Sequence, residues 1–209
     1  MSGLRERWRL KAMRAIQERA LDLFDERGFG AVTIEEIAAA AEVSPSSVYR
    51  YFGTKEGIVV ADEFDRMSLE TLKGFLDPGD PIGSLLHAVR AYESAPEGTS
   101  GSQDAGEGPP AEQSPWRRVR YFFAEPSVRE AVHANLDRAS QRIAPLIAAT
   151  GELTETQARV TANALVFGYF AALEQWYLDG GDRPIADYVE EGMRPLRSIW
   201  PSSDHEHPA

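Results

Sequence analysis

Residues 33–57, TIEEIAAAAEVSPSSVYRYFGTKEG, contain two helix starts in close succession. Thr33, with Glu36 three positions later, is a capping box, in which each side chain accepts the backbone N–H of the other residue. Ser44 before Pro45 places an N-cap hydroxyl ahead of a proline at the first helical position, where the missing proline N–H is not needed. Two short helices joined by a tight turn predict a helix-turn-helix.

A longer amphipathic helix precedes this pair. Its apolar residues recur at helical spacing between Trp8 and Asp25. One long helix followed by two short ones is the arrangement of a helix-turn-helix DNA-binding domain, which we place at residues 1–54. Val48 and Phe52 are four residues apart on the last of these helices, so we expect both to face the core of this domain.

The polar residues around the second short helix are the candidate contacts with double-stranded DNA. In a helix-turn-helix the first turn of the last helix faces base edges in the major groove, while hydroxyls and cations around it contact phosphates. We predict base contacts from Ser46, Ser47 and Arg50. The other predicted DNA-binding residues are the N-cap Ser44 and, on the phosphate side, Thr33, Tyr49, Tyr51 and Lys55.

The remainder of the chain, residues 55–200, shows helical patterns and no alternating strand pattern, so the sequence predicts an all-α protein of about nine helices. The helices predicted there span about 54–76, 82–93, 116–125, 127–150, 154–179 and 184–200. Residues 95–114 are rich in Gly, Pro and Ser, which predicts a mobile loop. Residues 201–209 form a polar tail.

The predicted helix 154–179 is apolar on more than one side. Val160, Ala164, Phe167 and Ala171 follow one face, and Leu165, Tyr169, Leu173 and Trp176 follow another. A helix that is apolar nearly all round is buried on several sides. We therefore predict that one face covers the core and the other meets a second subunit, with Gly168 allowing close approach, in a homodimer built on this helix and the last one.

Composition narrows the class of protein. The chain has 209 residues and no cysteine, which excludes disulfides and thiolate metal sites, and it shows no apolar run long enough to span a bilayer. We expect a cytoplasmic protein. The net charge is −11, but residues 1–60 contain nine basic and nine acidic side chains, so the acidity lies in the remainder. The first turns of the chain are rich in basic residues, and we expect them either to lie near phosphate or to form a solvated helix face.

The sequence contains no constellation typical of an enzyme, and we predict neither a catalytic residue nor a cofactor. The adjacent glutamates at 35–36 and 190–191 diverge around a helix and cannot share a proton. His205 and His207 flank Glu206 in the polar tail without further candidate ligands, so no metal site is predicted. No phosphate-binding loop or nucleophile elbow is present.

The segment 33–57 resembles the DNA-binding signature of TetR-family transcriptional regulators. The shared pattern is Thr, then Ile-Ala, Ala-x-Val-Ser, Tyr-x-Tyr-Phe and Lys-Glu. The resemblance implies a homodimeric repressor that binds a palindromic operator through the helix at 45–51 and is released when a small molecule enters the C-terminal domain. Glu42 departs from the family, which commonly has Gly at the turn; a left-handed backbone at this position would cost up to about 1 kcal/mol.

The C-terminal half carries a second resemblance. SPWRRVRYFFAEPSVREA and ALVFGYFAALEQWYLDGG look like the TetR subgroup described as binding acyl-CoA-like ligands, which includes mycofactocin-type regulators. This implies an apolar or acyl-bearing effector. The aromatic residues that could wall its site, each of which could equally be ordinary core, are Trp116, Tyr121, Phe122, Phe167, Phe170 and Trp176.

Two other classes remain open from the sequence alone. A helical carrier protein would keep the small-molecule site and the dimer but would have no operator. A helical enzyme would convert its ligand without a recognisable motif. Salt-sensitive binding to a specific DNA separates the regulator from both.

Overall fold

The structure is a computed structural model that describes residues 2–61, 69–94 and 117–197. Every regular element in those residues is a helix, which confirms the all-α prediction. The described ranges contain ten α-helices and one 3₁₀ turn, rather than about nine helices. The whole predicted loop 95–114, the residue Trp116 and the tail 201–209 lie outside them.

The helices are numbered in chain order. The first part of the chain contains α1 (Ser2–Arg27), a 3₁₀ turn (Phe29–Ala31), α2 (Ile34–Ala40), α3 (Pro45–Phe52) and α4 (Lys55–Val60). The second part contains α5 (Leu69–Phe75), α6 (Pro81–Ser94), α7 (Val119–Ala124), α8 (Pro126–Ala148), α9 (Glu155–Leu178) and α10 (Ile185–Arg197).

The predicted helix starts at 33 and 44 are confirmed. The Glu36 N–H donates to the Thr33 hydroxyl at 3.2 Å, and the Thr33 N–H donates back to the Glu36 carboxylate at 2.8 Å. The Ser44 hydroxyl accepts the Ser47 N–H at 3.3 Å, with proline as the first residue of α3. These caps satisfy N–H groups that have no partner within the helix.

The capping box predicted at the start of α9 is also confirmed. Thr154 accepts the Gln157 N–H at 3.2 Å, and the Thr154 N–H donates to the Gln157 side chain at 2.9 Å. The box was recognisable in the sequence because both partners lie within one helical turn.

The prediction of one helix over 54–76 is wrong. Helix α4 ends at Val60, since Ala61 has an extended backbone with φ −62° and ψ 129°. The amide of Gln17 on α1 donates to the carbonyl oxygens of Ile58 and Ala61, both at 2.9 Å. A side chain from another helix therefore supplies hydrogen bonds that continuation of α4 would otherwise have made.

Other helix boundaries differ from the predictions for local reasons. Helix α1 begins at Ser2 rather than near Trp8. Helix α8 begins at Pro126, so the predicted capping box at Ser127 is not its start; proline occupies the first helical position instead. Helix α10 ends at Arg197 within the described residues.

The chain forms two compact units. The first contains residues 2–61 together with 120–132, and its interior is formed by Ile16, Phe24, Ile37, Val48 and Ile58, all of which are at most 2% exposed. The burial of Val48 confirms that it faces the core of the helix-turn-helix; Phe52 is half-buried.

The second unit contains the other described residues. Its apolar core joins Leu72 of α5, and Leu76 just after this helix, to Ile143 and Ile147 of α8 and to Val166 of α9. No described helix is both long enough and apolar enough to cross a membrane.

Helix α9 separates its two apolar faces as predicted. Leu165 and Leu173 are buried, whereas Val160 is 65% exposed and Phe167 38% exposed. A Cβ added to Gly168 would lie 2.9 Å from the Met193 sulfur. Gly168 therefore gives close approach to α10 of the same chain.

Candidate nucleic-acid interface

Helix α3 buries one side chain and exposes a polar face. Val48 is fully buried, while Ser46, Tyr49 and Arg50 are exposed and Ser47 is half-buried. The eight-residue helix, anchored by its capped start and by Val48, leaves Ser46, Tyr49 and Arg50 exposed to solvent. The arrangement brings together the three residues that the sequence predicts as base contacts.

The first turn of α3 contains a cluster of three hydroxyls. The Ser44 oxygen lies 2.9 Å from the hydroxyl oxygens of both Ser46 and Ser47, in addition to capping the Ser47 N–H. Ser44 thus orients both neighbouring hydroxyls. Serine hydroxyls can donate or accept, so this cluster suits base edges of either kind.

Arg50 is held against its neighbour along the helix. Its Nη2 donates to the Tyr51 hydroxyl oxygen at 3.1 Å, and its guanidinium carbon lies 4.8 Å from the centre of the Tyr51 ring. The same nitrogen approaches the Ser47 hydroxyl at 3.5 Å. The guanidinium is a planar fork of donors suited to guanine, and here it has a preferred orientation before any DNA is bound.

The turn between α2 and α3 requires a left-handed residue. Glu42 has φ 54°, which is the left-handed backbone that the sequence left open at this position. Its N–H donates to the Ala39 carbonyl at 3.2 Å, and the next N–H, that of Val43, donates to the Ala38 carbonyl at 2.9 Å. These bonds satisfy the last carbonyls of α2 and explain why the strained conformation persists.

Thr33 is part of an ionic network at the start of α2. Its hydroxyl donates to the Glu36 carboxylate at 2.9 Å, and the other carboxylate oxygen lies 2.7 Å from an Arg27 nitrogen. The hydrogen bond from the Thr33 N–H, followed by the one from Arg27, lowers the pKa of Glu36 to about 2. In this geometry the Thr33 hydroxyl proton is already used.

Lys55 lies across the first unit rather than pointing fully into solvent. Its ammonium donates to the carbonyl oxygens of Phe29 at 2.7 Å and Val32 at 3.0 Å, and it lies 4.4 Å from the centre of the Phe29 ring. An ammonium has three donors, so one remains after these two bonds. Lys55 joins the start of α4 to the segment that leads into α2.

The described members of the predicted ligand-site aromatics are divided between the two units. Tyr121 and Phe122 are buried in the first unit, where the Tyr121 ring lies 5.7 Å from that of Phe24 and 6.4 Å from that of Phe29. Trp116 lies outside the described residues. These contacts place Tyr121 against the core of the helix-turn-helix.

The remaining three ligand-site aromatics lie on α9 in the second unit. Phe167 and Phe170 both meet the His133 ring, at 6.2 and 5.3 Å between centroids. The Trp176 indole N–H donates to the Arg183 carbonyl at 3.1 Å. A shallow cleft of about 240 Å³ in the same unit is lined by Lys73, Leu76, Pro78, Leu146, Ala149 and Thr150, and by none of these aromatics.

Two contacts in the first unit were not predicted from the sequence. The Tyr121 hydroxyl and the Arg120 guanidinium both bind the Asp25 carboxylate, which fixes α7 to the end of α1.

The second contact is that of Gln17, whose amide donates to backbone carbonyls at the end of α4. The signal for Gln17 was present, since it is a polar residue within the otherwise apolar stripe of Met13, Ala20 and Phe24. The partners of Asp25 are too distant in sequence for such a signal.

Comparison with known proteins gives one family match. The family model described as "Bacterial regulatory proteins, tetR family" matches residues 16–61. The chain is 35% identical over 79 residues to the HTH-type transcriptional regulator HbdR of Aromatoleum sp. (strain CIB), a match that covers 35% of this chain and 33% of that protein. The chain thus spans a third to a half of the length of the first curated relatives it matches.

Solved structures match over most of the chain. NalD, the secondary repressor of the MexAB-OprM multidrug efflux pump in Pseudomonas aeruginosa, aligns with a TM-score of 0.53 at 21% identity, covering 90% of this chain and 95% of NalD. Thermus thermophilus FadR, a repressor solved in complex with lauroyl-CoA, aligns with a TM-score of 0.53 at 18% identity, covering 94% and 99%. At these identities the comparison shows a shared fold.

Proposed function

We propose that the chain, whose residues 16–61 match the model of the tetR family of bacterial regulatory proteins, is a homodimeric transcriptional repressor. The single observation that carries the proposal is the exposed polar face of α3, anchored by buried Val48 and capped by Ser44. The matched family and the fold are those of transcription regulators, which are not enzymes.

The DNA-binding residues divide by chemistry. Ser46, Ser47 and Arg50 contact base edges, because they lie at the start and on the exposed face of α3. The phosphate side is formed by Ser44, Thr33, Tyr49, Tyr51 and Lys55. Lys55 contributes its third N–H, and the Thr33 hydroxyl must release the Glu36 carboxylate before it can donate to a phosphate.

The dimer forms through α9 and α10. The exposed face of α9 carries Val160 and Phe167, with Leu178 67% exposed near its end. Exposed large apolar side chains repeated along one helix favour a protein contact over water. Phe167 is better explained by this surface than by a ligand site. Two copies of α3 about 34–36 Å apart would enter successive major grooves of a palindromic operator.

The effector is an apolar or acyl-bearing small molecule bound in the C-terminal domain, residues 55–200. Support comes from the resemblance of the two aromatic segments to acyl-CoA-like ligand-binding regulators. Thermus thermophilus FadR, with the same fold, was solved with lauroyl-CoA. Phe170 and Trp176 lie in the second unit and are the first candidates for its walls, followed by Tyr121, Phe122 and Trp116. Effector binding lowers operator affinity by favouring a form that binds DNA less well.

Fluorescence-anisotropy titration tests the regulator directly. The purified chain is titrated into labelled duplex from its own promoter and into a scrambled duplex, each at 50 and 200 mM salt. We expect preferential, salt-sensitive binding with two protomers, or a multiple of two, per palindrome. A chain that binds a small-molecule ligand, but whose anisotropy signal is the same on both duplexes and does not change with salt, would instead be a carrier protein.

A further inference from the structure

The first three turns of α1 lie outside the matched family region, which begins at residue 16. Among the α1 side chains that the structure describes, from residue 7 onward, Met13 is the first buried one, at 2% exposed; Arg7, Trp8 and Arg9 are exposed and Leu10 is half-buried. At a rise of 1.5 Å per residue, the helix from Ser2 to Met13 extends about 16 Å. Residues 7–9 of α1 therefore present an exposed surface ahead of the first described core residue.

The charge of this extension is opposite to that of the chain. Residues 2–14 contain five basic side chains and one acidic one, which gives +4 in a protein of net charge −11. The five basic residues are Arg5, Arg7, Arg9, Lys11 and Arg14. Such a concentration of positive charge on one helix is complementary to a polyanion.

Trp8 adds an aromatic ring to the basic surface. It is 64% exposed, and the Lys11 ammonium lies 5.9 Å from the centre of its ring. An indole offers one N–H donor and a flat face that can pack against a sugar. Membrane-surface helices need a broad apolar face opposite the cations. Trp8 is the one exposed large apolar side chain between residues 7 and 14, so the surface suits nucleic acid better than lipid.

We propose that the extension of α1, residues 2–14, is a second DNA-binding surface that contacts duplex phosphates flanking the bases contacted by α3. This inference rests on the proposed function, because the flanking duplex is presented only when α3 is bound. The extension and α3 lie in the same compact unit. The contact adds affinity and salt dependence without adding base recognition.

The test removes two charges that lie one helical turn apart. Arg7→Gln/Lys11→Gln keeps good helix formers at exposed positions, so the fold should be unchanged by circular dichroism and thermal melting. The matched control is Arg138→Gln/Arg159→Gln, which removes two exposed charges from the second unit. Anisotropy against a promoter duplex with long flanks is measured from 50 to 200 mM salt, with hydroxyl-radical footprints of the same complexes.

Because the palindrome binds two protomers, the first variant removes four charges from each complex. We expect the slope of log K against log salt to become shallower by about 2 to 4 for this variant only, since each lost phosphate contact removes about 0.9. Flanking protection should weaken while the operator-to-random ratio stays constant. DNA should also quench wild-type emission more than that of Trp8→Phe. If the double variant keeps the wild-type slope and footprint, this inference is overturned, while operator binding by the wild type still upholds the proposed function. If the wild type itself shows no preference for the operator, both are overturned. Loss of binding to anionic vesicles, with DNA binding intact, would reassign the surface to membranes.

Discussion

The Arg50 guanidinium donates to the Tyr51 hydroxyl at 3.1 Å and lies 4.8 Å from the ring centre. Tyr51 therefore orients the side chain best suited to bidentate base recognition on α3. We predict that Arg50→Ala lowers operator affinity by about 1–3 kcal/mol while random-sequence affinity falls much less. Tyr51→Phe should weaken binding to both duplexes by removing a phosphate donor, and competition anisotropy separates the patterns. Equal losses on both duplexes for Arg50→Ala would rule out its role in base recognition.

Glu42 provides a test of backbone strain. A left-handed L-residue costs about 1–2 kcal/mol, while glycine loses about 0.5–1 kcal/mol more conformational entropy on folding. Glu42→Gly should therefore stabilise the protein by about 0.5–1 kcal/mol in urea unfolding. Glu42→Ala is the control, because it removes the side chain and keeps the strain. If alanine stabilised as much as glycine, the side chain rather than the φ of 54° would be responsible.

The capping carboxylate of α2 predicts a pH dependence of stability. The folded-state pKa of Glu36 is lowered from 4.5 to about 2, so the ionised form stabilises the fold at neutral pH and its contribution is lost as the pH falls from about 4.5 to 2. The wild type should have a higher thermal unfolding midpoint than Glu36→Gln at neutral pH, and this difference should shrink as the pH falls from about 4.5 to 2. Glu35→Gln, at the exposed neighbour outside the capping box, is the control. A constant difference between pH 7 and 2 would contradict the assignment.

Lys55 should matter for stability as well as for DNA. Lys55→Met keeps the aliphatic stem but leaves the carbonyls of Phe29 and Val32 without their donor, which we expect to cost about 1–3 kcal/mol in urea unfolding. Lys73→Met, on an exposed surface, should cost little. DNA affinity is measured below the unfolding transition. If Lys55→Met were as stable as the wild type but bound DNA more weakly, Lys55 would contribute to DNA binding and not to stability.

The exposed face of α9 predicts where subunits meet. Val160→Glu introduces a charge into this face and should convert the dimer to monomer in sedimentation velocity, with operator binding lost because one α3 contacts only half a palindrome. Gln141→Glu adds the same charge at an exposed position of α8 and should leave the dimer intact. A Val160→Glu protein that remains dimeric would place the interface elsewhere.

Several helix starts followed from short-range signals in the sequence, although the capping box predicted at Ser127 is not the start of α8. Thr33 with Glu36, and Thr154 with Gln157, marked helix starts because both partners of each capping box lie within one turn. Ser44 before Pro45 located α3, and the spacing around Val48 identified its buried face. These signals specified the candidate DNA-binding helix because its local hydrogen bonds and its apolar period depend on neighbours in the chain.

Contacts between distant residues were decided by tertiary structure alone. Helix α4 ends at Val60 beside the Gln17 amide, Lys55 donates to Phe29 and Val32, and Tyr121 packs against Phe24. No local pattern encodes these partners, because a polar or aromatic side chain has the same sequence neighbours whether it faces solvent, a carbonyl or another ring. The sequence by itself determined the helix starts at 33, 44 and 154 and the polar face of α3, whereas the packing of the helices decided where α4 ends and which side chains remain exposed.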